Sequence, residues 1–417
     1  MAQNENPKLR NGLEAIPIEH SGQKMIVLRD RIGYAKEQLV FAPVAVSIIV
    51  KMTGGNSLRD IQAEFMRDTG QLLYMEELNK LVDTLDDHLF LDNEKFRKHA
   101  ALEIGAFLDS PVRKMYHAGQ SYPRDPEQLR GLLDSFFQLE NGGPGAPDPT
   151  NPQKKKMVGL VAPHIDLKAG GTSFARAYKA VAESKCPATW IILGTGHDIV
   201  DNYFALTVKD FETPLGTIPC DSEVCSELLG AAGFDLRASE YNHRIEHTIE
   251  FQAVFLAFMK ARVRIVPILC SFGQGEWNSC KNLVDSFSRK LRELTFDRNR
   301  SVGILASVDL AHIGPRYGDR FIPHRGAVEE NMAADGDLLR MLEACRAEDF
   351  IERINRDENS RKICGVAPLY VLAKALEGRA EGYTLSHSHA VVDGQGSFVT
   401  FAGMAFYDKS SEDKTVG

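Results

Sequence analysis

Four short, almost uninterrupted apolar runs dominate the chain after residue 156: MVGLVAP, TWIILG, VRIVPILCSFG and VGILASVD. Each is too short for a helix. Each is flanked by segments with apolar residues at helical spacing, such as SFARAYKAVAES, EFQAVFLAFMK and KNLVDSFSRKLREL. Runs that are apolar at every position predict strands covered on both faces, hence a three-layer α/β domain with a mostly parallel central sheet between helix layers.

The first hundred residues follow a different rhythm. Two short runs, MIVLRD and LVFAP, precede AVSIIVKMTGG, where Gly54 and Gly55 can stop a helix; SLRDIQAEFMRDTG and MEELNKLVDTLDDHLFL then show helical periodicity. Ser57 reads as an N-cap with Asp60 at the capping-box position. Short strands followed by three helices, over about residues 20 to 95, resemble a PqqD-like winged-helix domain, whose relatives bind peptides; a helical packing or regulatory appendage is the other reading. The chain therefore divides into a small domain at 1–100 and a large one at 101–417. The stretch NGGPGAPDPTNPQKKK at 141–156 has no periodicity and reads as a Gly/Pro-rich surface loop within the large domain. The last ten residues read as a frayed tail.

Length and composition agree with two folding units. With 417 residues, 43 % hydrophobic, 25 % charged and 34 glycines, this is an ordinary globular composition. A net charge of −8 disfavours a general nucleic-acid surface. No segment approaches the roughly 18 uninterrupted apolar residues of a membrane span, and the polar N-terminus MAQNENPKLRNG lacks the apolar stretch of a signal peptide, which predicts a cytoplasmic protein. Seven cysteines without a CxxC pair, and none before Cys186, do not form a disulfide framework; most are expected to be buried thiols.

The candidate chemistry sits where the apolar runs end. His164 follows MVGLVAP, His197 follows TWIILGTG, and Asp309 and His312 close VGILASVDLAH. In open α/β sheets the ligand crevice lies outside the carboxyl ends of the strands, so these groups are candidates to converge. EHTIEFQ begins a helical segment that carries Glu246 and Glu250 one turn apart with His247 beside them, and Cys364 in KICGVAPLY precedes another helix, where a thiol tends towards thiolate. Read singly, each has a structural alternative: a histidine after a strand can be a hydrogen-bonded cap, Asp309 can cap a helix, and Cys364 can be a small buried hydrophobe. Several strand ends all bearing His, Asp or Cys are harder to explain that way.

The segments YHAGQSYP, VAPHIDLKAGG, ILGTGHD, TPLGTIPCD, EHTIEFQ, SVDLAHIGPRYG and ICGVAPL occur in the order found in the Memo family, also known as component B of the AmmeMemoRadiSam system, and the chain resembles that family from about residue 110 to 406. The resemblance implies a fold similar to the class III extradiol dioxygenases, which use non-haem iron. It implies metal ligation by His164, His197 and Cys364, with Asp309 and His312 lining the same pocket; from the residue types alone, Asp309 or Glu246 can orient a ligand imidazole and His247 or His312 can act as general acid/base. The resemblance also implies radical SAM and AMMECR-type proteins as partners. The chain departs from the family pattern where APHID replaces APHAGY, where a single His197 followed by Asp198 replaces an HH pair, and where ICGVAP lacks Arg-His before the proline.

Two imidazoles and a thiolate suit a borderline-to-soft divalent ion, iron above all, or copper or zinc, and not magnesium or calcium. Three functions remain open: an iron- or copper-dependent oxidoreductase, a non-catalytic module binding a peptide or partner, and a zinc hydrolase of a small-molecule or peptide substrate. HExxH and GxSxG, the commonest hydrolase signatures, are absent from the sequence.

Overall fold

A computed structural model describes residues 5–20, 22–35, 37–138, 142–148, 153–198, 200–260, 262–272 and 274–411. The chain separates into two compact units on either side of the Asp109–Ser110 bond. The boundary expected at residue 100 falls inside a continuous helix, Glu94–Asp109, and so moves to its end.

The first unit opens with three antiparallel strands in the order β1-β2-β3: β1 (Leu13–His20), β2 (Gln23–Asp30) and β3 (Leu39–Phe41). Four helices follow: α1 (Pro43–Ile49), α2 (Leu58–Thr69), α3 (Met75–Asp87) and α4 (Glu94–Asp109). The runs MIVLRD and LVFAP supply β2 and β3; β1 is an additional strand. α1 stops at Ile49, short of Gly54 and Gly55. Ser57 caps α2, accepting from Asp60 N at 3.2 Å while the Asp60 carboxylate accepts from Ser57 N at 2.9 Å. Ile61, Phe65, Leu78, Val82 and Leu85, one face of α2 and α3, form the core with Ile48, Ile49 and Phe90.

The second unit runs β4 (Val112–Arg113), α5 (Pro126–Gln138), β5 (Gln153–Ala162), α6 (Leu167–Ala182), β6 (Ser184–Lys185), β7 (Thr189–Thr195), β8 (Phe204–Leu206), β9 (Asp210–Thr213), β10 (Gly216–Ile218), α7 (Ser222–Ala231), α8 (His247–Phe258), β11 (Arg264–Cys270), α9 (Trp277–Phe296), β12 (Val302–Ser307), β13 (His312–Ile313), α10 (Ala327–Glu343), α11 (Ala347–Arg356), α12 (Val366–Leu376), β14 (Ala380–Val391) and β15 (Phe398–Asp408). Of the expected 141–156 loop, residues 142–148 carry no regular element, 141 and 149–152 lie outside the described residues, and 153–156 already belong to β5. Of the expected tail, Asp408 ends β15, Lys409–Ser411 form a helical turn, and 412–417 lie outside the described residues.

The main sheet has the order β13-β15-β5-β12-β7-β11-β8, with β14 on β15 and β6 on β5. The four apolar runs are its centre: β5, β12, β7 and β11 pair in parallel. Alternate side chains point to opposite faces. Ile191 and Leu193 pack with α7, α9, α10, α11 and α12, whereas Trp190 and Ile192 pack with α5, α6 and α8, which gives three layers. The sheet is mixed, however, and only its centre is parallel. β14 and β15 are joined by a short connection that permits only antiparallel pairing, and β15, β13 and β8 also run antiparallel to their neighbours. Among the described residues no helix is long and apolar enough to cross a membrane.

Candidate metal centre

Three parallel strands end side by side, since Ser307 of β12 pairs with Ala162 of β5 and with Gly194 of β7. His164 leaves β5 after Pro163, and its Nδ1 bonds the Ser307 carbonyl at 3.0 Å. With Nδ1 as donor, the Nε2 lone pair faces Cys364 Sγ, 3.3 Å away. Asp309 Oδ1 accepts from the backbone N–H of His164 at 3.1 Å and of Ile165 at 3.2 Å, and its Oδ2 lies 3.5 Å from His164 Nε2. Burial raises the Asp309 carboxyl to about 6 against those two N–H donors.

Glu246 caps α8 and ties two further imidazoles together. Its carboxylate accepts from His247 N at 2.8 Å and Thr248 N at 3.2 Å, lies 3.1 Å from His197 Nδ1 and 3.0 Å from His247 Nδ1, and also takes the His197 N–H at 3.1 Å. Burial alone would lower His197, but the Glu246 carboxylate and the Cys364 sulfur hold it well above its usual value. Glu246 is the converse: burial opposes its charge, and His197 and His247 hold it well below the usual carboxylate range. Burial, then repulsion from His197 and His247, pushes His164 well down, so that ring is neutral, the form a ligand needs.

Cys364 is delivered by a constrained turn before α12. Glu358, Asn359 and Lys362 adopt left-handed backbone at φ of 55°, 44° and 52°. The Asn359 side chain accepts from Ile363 N at 2.9 Å and donates to Ile363 O at 3.1 Å; Arg361 pairs with the buried Asp335 and Lys362 with Asp319. Gly365 is required here, because a Cβ would stand 2.5 Å from Val308 Cβ and 3.0 Å from the Asp309 carbonyl. The thiol also borders a cavity of about 60 Å³ lined by Phe272, Trp277, Ile351, Ile354 and Val366. Burial raises its pKa, tempered by His197.

The donor atoms of His164, His197 and Cys364 all lie within 4.8 Å of one another, and those of His197, Glu246 and His247 form a second set sharing His197. The His164, His197 and His247 ring centroids are 5.1–5.3 Å apart. His164 and Asp309 expose only 3 % of their side chains, whereas His197 and His247 expose 37 % and 31 %, so one side of the centre is open to solvent. His312 belongs to neither set. It bonds Leu310 O through Nδ1 at 3.0 Å and packs edge-on against Tyr317, and burial lowers it to about 4.

Beneath the Glu246 cap lies a support that sequence reasoning missed. Arg113 of β4 is fully buried, pairs with the fully buried Glu250, and donates to the carbonyls of His243 at 2.9 Å and Glu246 at 3.0 Å. The Glu250 carboxylate is also held by the N–H groups of Tyr116 at 3.1 Å and His117 at 2.9 Å and by the Tyr122 hydroxyl. Glu250 thus points inward, although it lies one turn from Glu246. Gln252 braces the floor, donating to Pro163 O at 2.8 Å and Ser307 Oγ at 2.7 Å. The motif YHAGQSYP was the available signal for Tyr116, His117 and Tyr122; nothing in the pattern marks Arg113.

Fold and site together define an α/β protein with a candidate transition-metal centre at the carboxyl ends of its parallel strands. Residues 113–405 match the family model described as Memo-like protein. The chain is 28 % identical over 392 residues to a MEMO1 family protein of Aquifex aeolicus, covering 93 % of this chain and 96 % of that one, so this likeness extends into the N-terminal unit. It is 32 % identical over 279 residues to a MEMO1 family protein of Methanopyrus kandleri, covering 65 % and 89 % respectively, and 34 % identical over 227 residues to one of Thermococcus onnurineus, covering 52 % and 71 %. The chain belongs to the Memo family.

Proposed function

We propose that this protein holds one divalent transition-metal ion, iron first and copper or zinc as alternatives, through His164, His197 and Cys364, and acts as an oxidoreductase on a small-molecule or peptide substrate. The supporting observation is the donor set: two imidazoles and a thiol within 4.8 Å of one another, with the His164 lone pair already directed inwards and one side open. Such donors fit a borderline-to-soft ion, and three protein ligands leave a position for substrate. When bound, iron or copper supplies electron transfer with oxygen, and zinc instead supplies Lewis acidity suited to hydrolysis.

The chain's own residues divide the remaining work. Glu246 fixes the orientation of His197 and His247 through their Nδ1 atoms, which leaves the His197 Nε2 to face the ion. His247, partly exposed beside His197, and the buried Asp309 would hold or move a proton at the substrate, and His312 is the third candidate for that role. Radical SAM and AMMECR-type proteins are the partners that the family likeness suggests.

Metal analysis of protein purified without chelator and without oxygen tests this reading. Wild type should carry about one iron, copper or zinc per chain, and His164→Ala and Cys364→Ser should lose it. Unchanged metal in both variants would overturn the ligand set, and the identity of the ion separates redox from hydrolytic chemistry.

A further inference from the structure

Cys220 and Cys225 take no part in the centre described above. Cys220 lies in the segment after β10 that docks on the start of β11: Ile265 N donates to Pro219 O at 2.9 Å and Asp221 N to Ile265 O at 2.8 Å. Cys220 N is held by Asp210 Oδ1 at 2.8 Å. Asp221 then caps α7 through Val224 N at 3.2 Å and is itself fixed by the Thr189 hydroxyl at 2.6 Å. This rigid entry sets Cys225, in the first turn of α7, against Cys220, with the two Sγ atoms 3.3 Å apart. Cys225 is fully buried and Cys220 only partly.

We propose that Cys220 and Cys225 are a reversible oxidation site, in which a hydroperoxide reacts at the accessible Cys220 and Cys225 closes a disulfide onto it. The sulfurs have little more than about 1 Å to travel to reach the roughly 2.05 Å of an S–S bond, on a backbone already held at both ends. The Cys220 thiolate attacks one oxygen of the peroxide; the O–O bond breaks, an S–O bond forms, and the other half leaves as alcohol or water. The Cys225 sulfur then attacks Cys220; the S–S bond forms, the S–O bond breaks, and the hydroxyl leaves as water with the Cys225 proton. Two thiols lose two electrons and two protons, and the peroxide is reduced. A dithiol reductant reverses the reaction by exchange.

The order of events follows from the surroundings. Burial keeps peroxide from Cys225, and the neighbouring Cys220 sulfur and burial together push the Cys225 thiol far above its usual range, so it stays protonated until Cys220 has reacted. Cys270, Cys280 and Cys345 are also buried, but among the described residues no cysteine sulfur is recorded beside them at the distance seen for this pair. The disulfide would close a short loop over the first turn of α7 and fasten that helix to the β11 segment.

The full chain carries its own test. No lysine or arginine lies between Lys209 and Arg237, so both cysteines fall in one tryptic peptide, 210–237. Reduced protein is treated with hydrogen peroxide, alkylated under denaturing conditions and digested. The expected result is a 210–237 peptide lighter by about 2 Da than its reduced, unalkylated form, carrying no alkyl group, with both groups restored after dithiothreitol. Cys220→Ser should leave Cys225 alkylated at every peroxide concentration. Two alkyl groups on wild-type 210–237 throughout, or Cys220 gaining oxygens with Cys225 still alkylated, would overturn the proposal. Neither outcome depends on the metal assignment.

Discussion

Replacing Arg113 with methionine isolates the support beneath the Glu246 cap. Both side chains of the Arg113–Glu250 pair are fully buried, and the guanidinium also serves two carbonyls, those of His243 and Glu246. Methionine keeps an apolar stem but removes the carboxylate's cationic partner, leaving it the Tyr116 and His117 N–H groups and the Tyr122 hydroxyl, and strands both carbonyls; breaking a buried pair from one side costs about 3–5 kcal/mol. The two tryptophans, Trp190 and Trp277, both lie in the Ser110–Gly417 unit, so their fluorescence during denaturant unfolding of metal-free protein reports that unit. At pH 7 the variant should be less stable by at least about 3 kcal/mol. The pH dependence has a defined sign. Burial opposes the Glu250 charge, but Arg113 above all holds its carboxyl below the usual value. The pair's contribution is therefore complete above the unfolded carboxyl value and is lost as pH falls through the folded one. Without Arg113, the largest effect that lowers it is gone and the carboxyl protonates at higher pH than in wild type, so the gap between wild type and variant should narrow on acidification. Adding Glu250→Leu to Arg113→Met removes the stranded charge and should recover at least about 1 kcal/mol. A loss below about 1 kcal/mol at pH 7, or a double variant no more stable than the single one, would refute the reasoning.

Three further outcomes are expected. Burial lowers His243 to about 4 while its Nε2 bonds Ala205 O at 2.8 Å, so the unfolded chain takes up a proton that the folded one refuses; this group alone should remove about 3 kcal/mol of stability as pH drops from about 6.5 to about 4, and His243→Gln should make this part of a pH–stability curve shallower by that amount. Gly365→Ala forces a methyl against Val308 and the Asp309 carbonyl, which should cost about 1–3 kcal/mol and weaken metal retention in competition with a chelator, whereas Gly230→Ala, with open space around it and no left-handed backbone, should leave metal retention unchanged. His312→Ala should leave the metal bound and lower turnover by about 10²- to 10⁴-fold once a substrate is found; loss of metal would make His312 a ligand instead.

The parallel centre of the sheet was legible because β5, β12, β7 and β11 are buried on both faces and so read as apolar runs. β15 is buried throughout as well, but FVTFAGMAFYD mixes glycine and threonine into the run, and its partner β14 (AEGYTLSHSHAV) is partly exposed with no clean alternation, so the hairpin that makes the sheet mixed left no comparable signal. Glu246 and Glu250 illustrate the limit at the site. Their spacing puts both on one side of a helix turn, yet Glu246 leaves the helix as its cap and turns to His197 and His247, while Glu250 is drawn inward by Arg113 from a strand 133 residues before the Glu246 carbonyl it also holds. Pairing across such a separation has no periodicity to betray it. The turn before Cys364 is similar: its left-handed residues are Glu358, Asn359 and Lys362, not glycines, and only the contacts of Asn359, Arg361 and Lys362 stabilise that path.

X-ray absorption at the zinc edge of stoichiometrically zinc-loaded protein tests the ligand assignment most directly, since zinc brings no redox chemistry of its own. The account predicts one sulfur scatterer at about 2.3 Å and two imidazole nitrogens at about 2.0–2.1 Å, with the sulfur lost in Cys364→Ser. A shell of nitrogen and oxygen alone in the wild-type protein would contradict it and move the ion to the set formed by His197, Glu246 and His247.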